Sequence, residues 1–167
     1  NTSADKNTAA SSETIKFATN PEFPPFEFIT ANGVLGTYDG IDMAIVAKIG
    51  ETGYKTLEDA FAAVGTDPCT VTVLDNCISD KIEIAAGSDV TLDLNGKTID
   101  SYISNYGKLT IDDSSADKNG IFKTQRGYGQ NLYLRDGSET IINAGAIVGP
   151  VTNNAAVKAQ KNSLLTI

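Results

Sequence analysis

Three aspartates in the segment IDDSSADKNG form the densest acidic cluster of the chain: Asp112, Asp113 and Asp117. Carboxylate oxygens are the hard ligands that Ca²⁺ prefers, so this cluster is the first candidate for a metal site. The order of its residues does not follow the spacing of an EF-hand loop. A solvated acidic loop between two strands accounts for the same residues, and we favour that alternative. No other cofactor is predicted.

Carboxylates combined with lysine or arginine are also the groups that cleave polysaccharides. A glycosidase holds two carboxyl groups about 5 Å or about 6.5–9.5 Å apart, and a sequence does not give such distances. The chain has no histidine, which excludes a nucleophile pair of the Ser–His or Cys–His kind. We therefore expect binding rather than catalysis and assign no catalytic residue. A polysaccharide lyase or hydrolase would have to use Asp93, Asp100, Asp112, Lys97, Lys108, Arg126 and Arg135.

Four tyrosines are candidates for a sugar-binding surface: Tyr102, Tyr106, Tyr128 and Tyr133. Their rings are amphipathic and suit the apolar faces of sugars. In the alternative, which we favour, these tyrosines fill the corners of the fold and stack on one another.

Two cysteines, Cys69 and Cys77, flank the run TVTVLDN. If that run is extended at roughly 3.3 Å per residue, the thiols lie too far apart for a disulfide. Both share the parity of Val71, so we expect buried free thiols, with a disulfide as the alternative. Two cysteines without histidine match no zinc pattern.

The composition is that of a folded, acidic protein. Of 167 residues, 41% are hydrophobic and 20% charged, and the net charge is −8. Because phosphate binding needs clustered Lys and Arg, this charge argues against nucleic acid, and it also weighs against an acidic substrate. No apolar stretch reaches the about 18 residues of a membrane span. Residues 1–12 are small and polar and predict a flexible tether, of the kind that follows the lipidated cysteine of a bacterial lipoprotein.

Residues 13–50 are expected to form a strand, a loop, a second strand and a helix. Prolines at 21, 24 and 25 force an extended path between the strands, and the second apolar run ends at the turn 31–33. Beyond it, Ile41, Ile45, Val46 and Ile49 share one face at helical spacing. These features predict an α/β segment.

The segments ETIKFATNPEFPPFEF and YDGIDMA resemble the start of periplasmic solute-binding proteins for amino acids. The resemblance implies that Phe23 stacks on a bound amino acid and that Asn20 lines its cleft. The rest of that fold, including the Arg/Asp pair that clamps the amino acid, has no counterpart here. The resemblance therefore adds, as an alternative function, a remnant of an amino-acid-binding lipoprotein of a transport system.

From residue 54 onward the pattern changes to one short helix followed by short β-rich runs. Leu57, Ala60, Phe61 and Val64 form one apolar face of the helix, with Thr56 as its N-cap. The runs that follow are three to five residues long and recur at roughly 20–25 residues, as in a solenoid. Asn-Gly turns at Asn95 and Asn119 leave an antiparallel sandwich as the rival fold. The predicted strands are 70–74, 82–84, 90–94, 109–111, 132–134, 140–142 and 164–167.

The segments GYKTLEDAF, TVTVLDN and VTLDLNGKTI resemble bacterial surface proteins that form right-handed parallel β-helices of the pectate-lyase-like kind. We therefore expect a mostly β chain: a right-handed parallel β-helix over residues 54–167, with a short α/β N-terminal segment and a capping helix. The expected function is a non-catalytic binding or structural protein, extracellular or attached to the cell envelope. Its expected partners are carbohydrate or a cell-surface protein, and a lipid anchor is expected upstream of residue 1.

Overall fold

The computed structural model describes residues 26–29, 35–38, 45–124, 130–150 and 155–167. The chain divides into two compact units, Asn1–Asp42 and Met43–Ile167. In the first unit, strand β1 (Phe26–Ile29) pairs antiparallel with strand β2 (Leu35–Tyr38), which confirms the second predicted strand of this segment.

Several predictions fall outside the described residues. These are the tether over residues 1–12, the strand at 14–18, the candidate amino-acid ligands Asn20 and Phe23, and the side chains of Arg126 and Tyr128. They stay predictions.

The second unit consists of short strands and one helix. The elements are β3 (Ala47–Ile49), β4 (Thr52–Tyr54), α1 (Leu57–Ala62), β5 (Cys69–Val73), β6 (Cys77–Ile84), β7 (Asp89–Asp93), β8 (Thr98–Asn105), β9 (Lys108–Asp112), β10 (Ile121–Lys123), β11 (Leu132–Leu134), β12 (Glu139–Ile142), β13 (Ala146–Val148), β14 (Val157–Ala159) and β15 (Leu164–Thr166).

Parallel pairing between successive coils defines the fold. Strands β5, β7, β9, β12 and β15 stack in parallel as the first face. The long strand β8 pairs with β10 through its first half and with β11 through its second half, so it spans a second and a third face. In the preceding coil, β6 pairs with β8. In the last coil, β13 pairs with β10 and β14 pairs with β11, which completes the second and third faces. The result is a β-solenoid of about four turns, as predicted, and the parallel pairing excludes the antiparallel sandwich.

The core is built from side chains that stack from coil to coil. A single coil is too thin to enclose a core, so each inward residue is buried by its neighbours in the coils on either side. Val71, Leu92 and Ile111 stack in register behind the first face and are fully buried. Ile103 and Leu132 do the same behind the third face. These columns hold the outward residues of each face in fixed register.

The helix and a hairpin cover the N-terminal end of the solenoid. Strands β3 and β4 form the hairpin, and β3 pairs antiparallel with β5, which satisfies the hydrogen-bonding edge of the first coil. Helix α1 buries Leu57, Ala60 and Phe61, and the Thr56 hydroxyl accepts from the Asp59 N–H at 3.0 Å. The predicted capping helix and its N-cap are confirmed.

The helix predicted from Ile41, Ile45, Val46 and Ile49 is wrong over the part that the structure describes. Ala47–Ile49 is a strand whose residue Ala47 is fully buried opposite Val73. The helical spacing of the isoleucines is outweighed by the need to pair the open edge of β5, since tertiary context overrides local preference in short segments.

The predicted repeat of roughly 20–25 residues holds between several stacked strands, such as Thr98 with Ile121 and Leu132 with Val157, but not between all of them. Leu109–Ile111 and Leu132–Leu134 lie 23 residues apart but belong to different faces of the same coil. Leu109 instead stacks on Val90, 19 residues earlier, and on Thr140, 31 residues later. Coil length varies because the corners between faces differ in length, while the strands keep their register.

Candidate functional site

The outward side of the third face carries a cluster of two tyrosines and two cations. Register places Ser104, Tyr133 and Lys158 side by side on β8, β11 and β14. Tyr106 and Arg135 lie two residues after Ser104 and Tyr133, directly past the ends of β8 and β11, and the contacts of Arg135 with both tyrosine rings place them on the same side. We call Tyr106, Tyr133, Arg135 and Lys158 the cation–aromatic surface.

Arg135 is the centre of this surface. Its guanidinium carbon lies 4.0 Å from the ring centroid of Tyr133 and 5.2 Å from that of Tyr106. Its Nε donates to the buried Oγ of Ser104 at 2.7 Å. The Lys158 ammonium lies 5.1 Å from the Tyr133 ring. Cation–π attraction of this kind holds the arginine in one orientation.

A further contact fixes the Tyr133 ring. Gln160 Nε2 donates to the Tyr133 hydroxyl at 2.9 Å, and the Gln160 Oε1 accepts from the Asp136 N–H at 3.0 Å. Since each member sits on a strand or directly after one, the surface is formed before any ligand binds. Preformed sites lose less conformational entropy on binding.

Neither cation of this surface has an acidic partner among the described residues. Of the carboxylates nearby in sequence and register, Glu83 pairs with Lys81, and Asp136 Oδ1 accepts from Asn162 Nδ2 at 3.0 Å. The surface is therefore a positive region on a chain of net charge −8.

The structure brings together two of the four predicted sugar-binding tyrosines. Tyr106 is 41% exposed and Tyr133 is half-buried, and both contact Arg135. Tyr102 is only 6% exposed, so its ring is not available at the surface. Tyr128 lies outside the described residues.

The three aspartates of the acidic loop do not converge. Asp113 is fully buried, whereas Asp117 is exposed and Asp112 accepts from the Asp113 N–H at 2.7 Å. Within the described residues, no group of three or more His, Cys, Asp or Glu side chains is arranged to hold a metal ion.

Asp113 instead organises the corners of two coils. Its Oδ1 accepts from the N–H groups of Gly96 and Ser115 at 2.8 and 3.0 Å, and its Oδ2 accepts from the Gly120 N–H at 2.5 Å. Burial alone would raise the pKa of Asp113, but the donors of Ser115, Gly120 and Gly96 outweigh it and lower this pKa below its ordinary value.

Substituting Asp113 is expected to destabilise the protein only while the carboxylate is ionised. Because folding lowers the pKa of Asp113, the ionised carboxylate stabilises the folded state at pH values above the ordinary carboxyl pKa. This stabilisation disappears as the pH falls through the lower pKa that Asp113 has in the folded state. Asp113→Asn should therefore cost about 1–3 kcal/mol at neutral pH and far less once the pH has fallen through the lowered pKa of Asp113. Urea unfolding at several pH values measures this, with the exposed Asp117→Asn as control. A cost that is independent of pH would contradict the prediction.

The residues proposed for a lyase or hydrolase are dispersed over the solenoid. Asp93 and Asp112 are register neighbours on the first face, Asp100 belongs to the second-face half of β8, and Arg135 lies on the third face. Asp93 accepts from the N–H groups of Asn95 and Ser114 and therefore serves the corner of its coil. The described candidates do not form one group.

The two cysteines are free, as predicted, but they are half-buried and not enclosed in the core. Burial raises the pKa of Cys77 to about 11, and the negative charges of Glu58 and Asp75 add to this effect. Burial, followed by the charge of Asp89, also raises the pKa of Cys69. Neither thiol is activated as a nucleophile, because the thiolate is the reactive form.

Comparisons with protein families, with curated proteins and with solved structures find no match for this chain. Over the described residues, no helix has the length and apolar character required to cross a membrane.

Sequence reasoning missed Ser104, Lys158 and Gln160 as parts of the surface. The sequence alone could have grouped Tyr133 with Arg135, because residues two apart along an extended chain face the same side. Ser104, Lys158 and Gln160 belong to other coils, and only the register between coils brings them to Tyr133 and Arg135.

Proposed function

We propose that this chain is a non-catalytic binding module of the cell surface or cell envelope, which contacts carbohydrate through the cation–aromatic surface. The polar residues 1–12 serve as its tether, with a lipid anchor upstream of residue 1. The observation that carries the proposal is the position of Arg135, held against two tyrosine rings without an acidic partner among the described residues.

The chemistry of this surface suits a sugar in two ways. The partly exposed rings of Tyr106 and Tyr133 offer apolar area, and tyrosine hydroxyls exchange hydrogen bonds with sugar hydroxyls. Arg135 uses its Nε for Ser104, and its terminal N–H groups have no hydrogen-bond acceptor among the described residues. These N–H groups form a planar fork that donates to paired oxygen atoms of a ligand.

The parallel register of the third face also favours an extended ligand. The third face is a sheet in which strands of successive coils run parallel, so equivalent positions repeat along the solenoid axis about every 4.8 Å. A chain of sugar units laid along this axis would meet Tyr106, Arg135 and Lys158 in turn. This arrangement supports an oligosaccharide rather than a single sugar as the ligand.

A glycan array with neutral and acidic oligosaccharides, followed by titration calorimetry, tests the proposal. We expect Arg135→Ala and Tyr106→Ala each to weaken binding at least about tenfold, because central aromatic and arginine residues dominate binding energies. Arg135→Lys keeps the charge and loses the planar fork, so it separates these two contributions. Lys123→Gln removes one positive charge from the second face and serves as the matched control.

Two outcomes would overturn the proposal. One is that no oligosaccharide binds the intact chain. The other is that binding survives Arg135→Ala unchanged, which would move the binding site elsewhere.

A further inference from the structure

Both Asn-Gly pairs of the solenoid direct their glycine N–H groups to the same carboxylate. Asn95-Gly96 forms the corner between β7 and β8, and Asn119-Gly120 directly precedes β10. The Gly96 N–H donates to Asp113 Oδ1 at 2.8 Å and the Gly120 N–H donates to Asp113 Oδ2 at 2.5 Å. A single buried side chain therefore holds both pairs.

Asn-Gly is the dipeptide in which asparagine deamidates most readily. The glycine nitrogen gives up its proton and attacks the side-chain carbonyl carbon of the asparagine, and ammonia leaves as a five-membered succinimide closes. Water then opens the ring to aspartate or isoaspartate. Glycine favours the attack because it has no Cβ to obstruct it.

The hydrogen bonds to Asp113 oppose the first step of this reaction. The attacking nitrogen must become negative, and a carboxylate at hydrogen-bond distance makes a second negative charge there unfavourable. The carboxylate is fully buried, so water does not screen this repulsion as it would at the surface.

The asparagine side chain at the first pair is also held away from the attack. Asn95 Nδ2 donates to the carbonyl oxygen of Val73 in the preceding coil at 2.9 Å. The Gly96 N–H points instead to Asp113 in the following coil. Ring closure requires these two contacts to break together.

From these contacts we infer that Asn95 and Asn119 are latent deamidation sites, which Asp113 keeps unreactive by holding the N–H groups of Gly96 and Gly120. The inference is independent of the proposed carbohydrate binding, since Asp113 lies among the corners that follow the first face and the cation–aromatic surface lies on the third. Formation of isoaspartate would add a backbone atom to a corner whose register both neighbouring coils share.

Peptide mass spectrometry after prolonged incubation of the intact chain at neutral pH tests the inference. The reference is the same chain unfolded in urea, in which Asp113 no longer holds the N–H groups of Gly96 and Gly120. In the folded, unaltered chain, deamidation at Asn95 and Asn119 should be far slower than in the unfolded chain. In Asp113→Asn and Asp113→Ala, it should accelerate at both positions by a factor on the order of ten or more, as expected for the loss of a charge-assisted hydrogen bond.

Asp93→Asn is the matched control for general loosening of the corner. Asp93 also accepts from backbone N–H groups here, those of Asn95 and Ser114, but not from Gly96 or Gly120. In this variant, the deamidation rates at Asn95 and Asn119 should stay close to those of the unaltered chain.

Three results would overturn the inference: equal rates in the folded and the unfolded unaltered chain, no acceleration in the Asp113 variants, or equal acceleration in Asp93→Asn. Slower deamidation in the Asp113 variants would show that the carboxylate acts as a base that promotes the reaction. The comparison of the folded with the unfolded unaltered chain can still overturn the inference if an Asp113 variant fails to fold.

Discussion

Phe122→Ala is expected to lower the free energy of unfolding by about 3–5 kcal/mol. Phe122 is fully buried at the centre of β10, where register places Ile99 in the coil before and Ile147 in the coil after. The substitution removes an entire ring from this stack. Because β8, β10 and β13 are hydrogen-bonded in parallel, the neighbouring coils cannot move together to close the cavity.

Urea unfolding followed by circular dichroism measures the effect of this substitution. Ile78→Ala is the control, since Ile78 lies on β6 along the same face but is 66% exposed, and it should change stability by less than about 0.5 kcal/mol. Phe122→Leu should fall between the two. A cost below about 1 kcal/mol for Phe122→Ala would show that the second face is not closely packed.

Gly107→Ala is expected to cost about 3 kcal/mol or more, at the upper end of what overpacking produces. A Cβ on Gly107 would stand 2.4 Å from the carbonyl oxygen of Ala85 and 2.7 Å from that of Ser88. Both obstacles are backbone atoms of the preceding coil, so no side-chain rotation relieves the clash. The Ser88 carbonyl also accepts from the Lys108 N–H at 2.9 Å, which fixes its position.

Thermal and urea unfolding of this variant should be compared with Gly65→Ala. No atom lies within 4 Å of a Cβ on Gly65, so that substitution should be neutral or stabilise by up to about 1 kcal/mol through the unfolded state. Equal stability of the two variants would mean that the corner after β8 adjusts freely, against the close approach seen here.

Alternation of apolar and polar residues makes some of the strands predictable from the sequence. The alternation of Val90 and Leu92 revealed β7. The following strand, β8, escaped prediction because it buries Asp100, Ser101, Ser104 and Asn105 along with its apolar residues. Asn105 illustrates how such burial is tolerated: its Nδ2 donates to the Glu139 carbonyl and its Oδ1 accepts from the Gly107 N–H. In a sequence, buried polar residues whose hydrogen bonds are satisfied inside a corner cannot be distinguished from the polar residues of a loop.

The period of the solenoid was harder to predict than its existence. Strands of three to five residues bounded by Gly, Asn and Asp indicate stacked coils, but corners of unequal length remove the fixed repeat that would align them. For the same reason the partners of Asp113 could not be predicted. Gly96 and Gly120 lie 17 and 7 residues away from it along the chain.

The antiparallel hairpin at the N-terminal end restricts the positions at which the solenoid can gain or lose coils during evolution. Strand β3 occupies the edge of β5 and runs in the opposite direction, so a duplicated coil has no parallel strand to join on that side. A coil gained by gene duplication fits only between existing coils or beyond β15, whereas a coil added ahead of β5 would displace β3 from its partner. Growth and loss of coils in related chains are therefore expected downstream of β5, with the hairpin and helix α1 inherited as one block.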